Sequence, residues 1–223
     1  MIDFLMISTR SKKNGLIEIY PKFIIKKSSD LMIRGGDFYA IWIEERGLWS
    51  TDEQDALQLI DRELDRYAEE NRNRFDSNVK VLHMWDSESG MIDSWHKYCQ
   101  KQMRDSFHML DEKLIFSNTP TNKKDYASKR LGYPLEAGET PAYDKLMSIL
   151  YEEEERRKIE WAIGSIISGE SKKLQKFMVL YGAAGTGKST VLNIIQQLFE
   201  GYYSVFDAKA LGSSSNAFAL EAF

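Results

Sequence analysis

Phe177-Met178-Val179-Leu180-Tyr181-Gly182-Ala183-Ala184-Gly185-Thr186-Gly187-Lys188-Ser189-Thr190 is the stretch on which the reading of this chain turns. Residues 182–189 fit G-x-x-x-x-G-K-[ST] at every fixed position. The pattern has a physical basis. A phosphate that comes close to the backbone excludes Cβ atoms. Successive N–H groups point into one concavity only at backbone angles that glycine tolerates. A helix that starts at Lys188 adds its free first-turn N–H groups and its dipole. The candidate nucleotide-binding residues are therefore Gly182, Ala183, Ala184, Gly185, Thr186, Gly187, Lys188, Ser189 and Thr190. Lys188, on the β- and γ-phosphates, is the candidate catalytic residue, and the Ser189 hydroxyl is the candidate magnesium ligand. The cofactors this implies are ATP and Mg2+.

The surroundings of the loop suit it. Residues 177–181 form a short apolar run of the kind that makes a buried parallel strand. A helix is expected over 188–200, then a second apolar run over 202–206. That order is strand, loop, helix, strand, the opening of a parallel α/β sheet. Among the residues that follow Ser189, no acidic strand end that would hold a metal and a water can be placed. No sensor or arginine finger can be placed there either. The expectation is a chain that covers the front part of a longer protein, cut inside its motor domain.

Working back from the loop, Thr140-Pro141 reads as an N-cap followed by proline at the first helical position. It opens a helix through Leu146 and Leu150, and a second helix runs through Ile159 and Ile163 to near Gly169. The acidic residues 152–155 between them suit a solvated helix start. Residues 117–139 are polar and read as loop, with a short strand at 114–116. Residues 85–110 suggest helix. Thr51, with Gln54 in a capping-box position, opens an amphipathic helix to about residue 72. Ahead of it, residues 16–20, 23–27 and 38–43 read as strands, with Pro21 breaking the first two apart. Turns are expected at Asn14-Gly15, Gly35-Gly36 and Arg46-Gly47. The fold class is an α+β N-terminal module and a helical middle, followed by the beginning of a P-loop α/β motor domain. The boundaries are 1–50, 51–172 and 173–223.

Composition bounds the function. Of 223 residues, 43% are hydrophobic and 29% charged, a globular mixture. The net charge of −4 argues against a non-specific nucleic-acid binder, so any such contact must be a local patch. The one cysteine, Cys99, allows no internal disulfide and suits a reducing compartment. No run of apolar residues is long enough to span a bilayer. A cytoplasmic protein with no membrane partner is expected.

Several segments together resemble the phage and plasmid primase–helicases, whose motor is a superfamily 3 helicase. Phe38-Tyr39-Ala40-Ile41-Trp42-Ile43, then Gly47-Leu48-Trp49 and the Thr51 helix, look like the opening of the domain that precedes that motor. Lys124-Asp125-Tyr126-Ala127-Ser128-Lys129-Arg130-Leu131-Gly132-Tyr133 is similar to the segment between the helical and motor regions. Thr140-Pro141-Ala142-Tyr143-Asp144-Lys145-Leu146 and Ile163-Gly164-Ser165-Ile166-Ile167-Ser168-Gly169 resemble its later helices. The likeness covers about residues 36–223. It implies an ATP-driven helicase (a hydrolase) acting in DNA replication, with single-stranded DNA as partner, a homo-oligomeric ring, and primase or other replication proteins as neighbours. For a phage-encoded chain the location is the host cytoplasm. No paired-aspartate primase site is evident. An alternative is a truncated, non-catalytic module that docks on a replication helicase or primase and regulates it.

Weaker signals remain. Lys12, Lys13, Lys22, Lys26, Lys27 and Arg34 lie near Tyr20 and Phe23. Lys123, Lys124, Lys129 and Arg130 lie beside Tyr126 and Tyr133. Either group suits phosphates and bases, or a solvated face. His96 and Cys99 are half of a metal spacing with no second half. His83 and His108 show no acid partner in the sequence. The five tryptophans, Trp42, Trp49, Trp85, Trp95 and Trp161, read as core anchors.

Overall fold

A computed structural model describes residues 2–75, 78–86, 89–102 and 107–205, leaving aside the side chains of residues 171 and 172. The second apolar run beyond Val205, the serines at 213–215, and Met103 of the 85–110 segment lie outside the described residues. The chain is mixed α and β and divides into two compact units. One comprises residues 1–110 and 120–128, the other 111–119 and 129–223. These bounds differ from a division at residues 50 and 172. The amphipathic helix after residue 50 buries its apolar face on the strands before it, so the two make one body.

In the first unit, β1 (Leu5–Ser11), β2 (Ile17–Phe23) and β6 (Val79–Val81) form one sheet in the order β1-β2-β6. β1 and β2 pair antiparallel and β6 joins β2 in parallel. β3 (Leu31–Arg34), β4 (Asp37–Ile43) and β5 (Leu48–Ser50) form a second, antiparallel sheet. Proline does not interrupt β2, and the expected strand over 23–27 is not formed, since β2 ends at Phe23 and residues 24–27 lie in no strand. Pro21 pairs only with Ile7 of β1, beyond the stretch that meets β6, and a strand with a partner on one side tolerates a missing N–H. The three expected turns are formed. Gly15, Gly35, Gly36 and Gly47 all have positive φ, which side chains resist.

The second sheet shows a period of two on both faces. Leu31, Ile33, Ile41 and Ile43 turn into a core with Phe4, Ile19, Ile60, Leu64 and Trp95. Met32, Ala40, Trp42 and Trp49 are buried on the opposite face with Tyr39, Leu110 and Tyr126. A strand covered on both sides reads as a continuous apolar run, which is the pattern of residues 38–43.

Helix α1 (Glu53–Glu70) covers the first core through Ala56, Leu57, Ile60 and Leu64. Its N-cap is Asp52 rather than Thr51: Asp52 Oδ1 accepts from Gln54 N at 2.9 Å. Asp is the stronger N-cap of the two, and the Ser50 hydroxyl supports it by accepting from Asp52 N at 3.2 Å. Helix α2 (Met91–Lys101) begins after Gly90, at φ 66°, and is shorter than the 85–110 segment suggested. Trp95 is fully buried at 0% exposure and its indole N–H donates to Glu53 at 2.7 Å.

In the second unit, α3 (Pro141–Leu150) and α4 (Glu153–Ile167) are the helices that the sequence announces. The acidic start of α4 is a capping box between Glu152 and Glu155. A short helix α5 (Ser171–Leu174) and then α6 (Lys188–Leu198) follow. Three strands expected here are not formed among the described residues: 114–116, 177–181 and the described part of the 202–206 run, whose residues 202–205 are turn and irregular chain. Residues 114–116 are irregular, although Ile115 and Phe116 are buried, because they meet the chain through single bonds such as Leu131 N to Ile115 O at 2.7 Å. Residues 177–181 lie in no strand, with Phe177 at 88% and Tyr181 at 97% exposure. Among the described residues the second unit contains no strand, so this run has no ladder to join. Trp85 and Trp161 are likewise exposed rather than core. Trp161 lies two residues from Ile159 and from Ile163, off the helix face that those two bury.

Candidate functional site

The 182–189 loop is built by its own backbone and seated by α3, α4 and α6. Three of its glycines have positive φ: Gly182 at 153°, Gly185 at 80° and Gly187 at 78°. Gly187 has a second reason to be glycine. A Cβ there would meet Leu150 Cδ1 and Cδ2 at 2.8 Å, so the loop packs against the end of α3. Behind it, Val191 of α6 is buried with Met147 of α3 and Ile159 of α4, and Leu180 and Ile195 pack around them. This cluster fixes where α6 begins.

Gly187 is the N-cap of α6 and has no side chain with which to cap it. The first-turn N–H groups, those of Lys188, Ser189 and Thr190, have no acceptor one turn earlier within the helix. They face outward with the positive end of the helix dipole. The Lys188 ammonium sits over the loop. It donates to Gly182 O at 3.0 Å, Ala183 O at 2.5 Å and Thr186 Oγ1 at 3.1 Å. The Thr186 hydroxyl donates to Ala183 O at 3.0 Å and closes the same ring. The loop is therefore wound round a fixed cation, and the residues quoted from the sequence are brought together as one cup.

Beside the cup is a cleft of about 470 Å³, within the usual size range of small-molecule sites. The loop contributes Gly182, Thr186 and Lys188, and the α3–α4 junction contributes Leu150, Tyr151 and Glu155. The Tyr151 hydroxyl is buried and has no hydrogen-bond partner among the described residues. Burial, and then Glu155, push its pKa above the ordinary tyrosine value. A buried hydroxyl without a partner costs free energy unless something supplies the missing bond. Tyr151 is the residue that sequence reasoning missed, because nothing in residues 150–152 marks a site. Only the packing of α3 against α6 brings them to the loop.

The residues present suit a polyphosphate. The first-turn N–H groups and the dipole end are donors, Lys188 adds positive charge although its three N–H donors are engaged within the loop, and the ring holds no competing carboxylate. Ser189 and Thr190 are exposed at the start of α6. Among the described residues no group of three or more His, Cys, Asp or Glu could hold a metal. A magnesium ion on Ser189 would thus take its other oxygens from phosphate and water, as that ion commonly does.

The remaining candidates separate. His96 is 3.4 Å from Glu53, and Cys99 is buried in the main core, its thiol pushed up to about 12 by burial; among the described residues neither belongs to a group of three or more that could hold a metal. His83 does have an acid partner: its Nε2 is 2.7 Å from Asp65 Oδ1, a pair made by α1 and the residues after β6. The basic residues near 130 are divided between the units, with Lys123 and Lys124 in one and Lys129 and Arg130 in the other. Lys129 donates to Gly201 O at 2.7 Å and lies over the Tyr202 ring. In the N-terminal patch, Arg10 and Lys12 both pair with Glu18, at 2.5 and 3.4 Å. No helix among the described residues is long and apolar enough to cross a membrane. No family model, curated protein or solved structure matches the chain.

Proposed function

We propose that the 182–189 loop holds the phosphates of ATP, and that the chain is the nucleotide-binding portion of a phage-type replicative DNA helicase of the primase–helicase kind. The observation that carries this reading is the ring of loop carbonyls and Thr186 wound round Lys188 beneath an uncapped helix start. Magnesium, when bound, neutralises charge on the β- and γ-oxygens. The chain's own residues do the rest. The amides of residues 185–190 orient the phosphates, and Lys188 stabilises charge as it develops on the transferred group. Ser189 offers its hydroxyl to the ion, and Tyr151 forms part of the cleft wall. On this reading the second unit is the beginning of a P-loop motor, hydrolysis is coupled to single-stranded DNA, and the working form is a homo-oligomeric ring in the host cytoplasm with primase or other replication proteins.

A second reading is supported by the exposed run at 177–181. It is a non-catalytic module that docks through this run on a replication helicase or primase and regulates it. One titration addresses the nucleotide claim. Mg-ATPγS is added calorimetrically to the parent chain and to Lys188→Ala. Loss of a charge-assisted bond predicts saturable binding that weakens about ten- to a hundredfold in the variant. Equal binding by both chains, or none by a folded parent, would refute the loop as the nucleotide site. Nucleotide binding with no hydrolysis, even with single-stranded DNA present, would favour the docking module.

A further inference from the structure

The second buried face of the β3-β4-β5 sheet carries a site that lies wholly in the first unit and uses none of the 182–189 loop. Met32 and Trp49 floor a cleft of about 500 Å³. Three rings form a ladder beside it. Tyr126 lies 6.3 Å from Trp49 with planes 23° apart, and His108 lies 4.2 Å from Tyr126 with planes 21° apart. The ladder is held in place. The Trp49 indole N–H donates to Lys123 O at 2.9 Å, and Trp49 N donates to Ala127 O at 2.8 Å. A capping box between Asn122 and Asp125 shapes the turn before Tyr126, which has φ 47°. An aromatic residue at positive φ is uncommon and needs tertiary support of this kind. Trp49 is buried at one end of the ladder and His108 is exposed at the other.

The opposite side of the cleft is cationic and hydroxylic, with Lys27, Ser28, Ser29, Lys123 and Lys124. Its carboxylate, Asp3, is engaged: it accepts from the Ser28 hydroxyl, from Ser29 N at 2.7 Å and from Ser29 Oγ at 3.0 Å. Lys123 is neutralised by an ion pair with Asp30. Lys27 and Lys124 are exposed, and neither is in an ion pair among the described residues. Among the described residues the cleft thus combines an aromatic ladder that ends at the exposed His108 with two ammonium groups in no ion pair. We propose that it takes one nucleotide of a single nucleic-acid strand, the base stacking on the outer face of His108 and the flanking phosphates meeting Lys27 and Lys124. A free mononucleotide has the same base and phosphate. The strand is favoured because two separate lysines serve successive phosphates, while the rings accept any base.

The test uses the full chain, fluorescence anisotropy of a labelled short oligothymidylate at low salt, and thymidine monophosphate as competitor. The parent should bind, with affinity falling as salt rises. His108→Ala should weaken binding roughly ten- to a hundredfold, and His108→Phe should retain it, because a ring restores the stack. Lys124→Gln should weaken binding and reduce the slope of log K against log salt by about 0.7. Lys188→Ala should bind the strand like the parent, so that a failure of the phosphate loop and a failure of this cleft can be told apart. Absence of binding, parent-like binding by both His108→Ala and Lys124→Gln, or displacement by the monophosphate at equal concentration would overturn the proposal.

Discussion

Residues 38–43 and residues 177–181 are both short runs of aromatic and aliphatic residues, and both look like buried strands, yet only the first is one. In β4, Ala40, Ile41, Trp42 and Ile43 are all buried, between β3 and β5 and between two apolar layers. In the second unit, Phe177, Val179 and Tyr181 are all largely exposed, and among the described residues there is no strand beside them. An apolar run is a demand for cover. Whether it becomes a strand depends on backbone partners, because a single extended segment leaves its N–H and C=O groups to water. β4 has partners three to ten residues away, joined by glycine turns. Any partner for 177–181 must come from a distant segment or another chain.

That contrast can be broken by substitution. Ile41→Ala should cost about 2–5 kcal/mol in a urea titration, the usual range for emptying a packed core position. Val179→Ala should lie within about 0.5 kcal/mol of the parent, because an exposed side chain loses little. A comparable loss at both positions would show that 177–181 is covered in solution. Next in size is Gly187→Ala. Positive φ alone costs a β-carbon about 1–2 kcal/mol, and the contact with Leu150 adds to it. Leu150→Ala in the same chain should recover the contact but not the backbone cost, and amide exchange in α6 reads both.

The smallest effect concerns the turn that anchors β4 to α1. Arg46 grips Asp55 with two bonds, at 2.7 and 3.1 Å, and Ser50 Oγ adds a third at 2.6 Å. Those bonds, Arg46 first, hold the Asp55 carboxyl below its ordinary 3.8 against the opposing pull of burial. A depressed acid stabilises the fold above its unfolded pKa and loses that contribution as pH falls through its folded one. Thermal melts between pH 7 and pH 2 should therefore show a loss below about pH 3.8 that is shallower in Arg46→Ala. An identical acid profile in both chains would remove the pair from the account.

Much of the local structure was legible in the sequence because its causes are local. The glycine turns, the proline start of α3, the acidic start of α4 and the charged face of α1 each follow from a few adjacent residues. β1 was missed because Leu5-Met6-Ile7-Ser8-Thr9-Arg10-Ser11 is half polar and becomes a strand through pairing with β2. β6 has three residues and exists only as a parallel partner of β2. The turn at 182–187 and the helix start at Lys188 were legible, since the glycines and the lysine lie within seven residues of one another. The cleft wall at Leu150 and Tyr151 was not, and neither was the Trp49–Tyr126–His108 ladder, because both are assembled by packing between residues far apart in the chain.

The most direct test of the central claim is the response of the loop amides themselves. In a 15N-labelled chain, Mg-ATPγS should move the amide resonances of Gly185, Gly187, Lys188 and Ser189 saturably, with one shared affinity. Tyr126 and its neighbours should stay in place at concentrations that saturate the loop. Shifts of this kind would mean that the helix start and its ring of carbonyls form a phosphate cup. Saturable binding that leaves those four amides unmoved would contradict it.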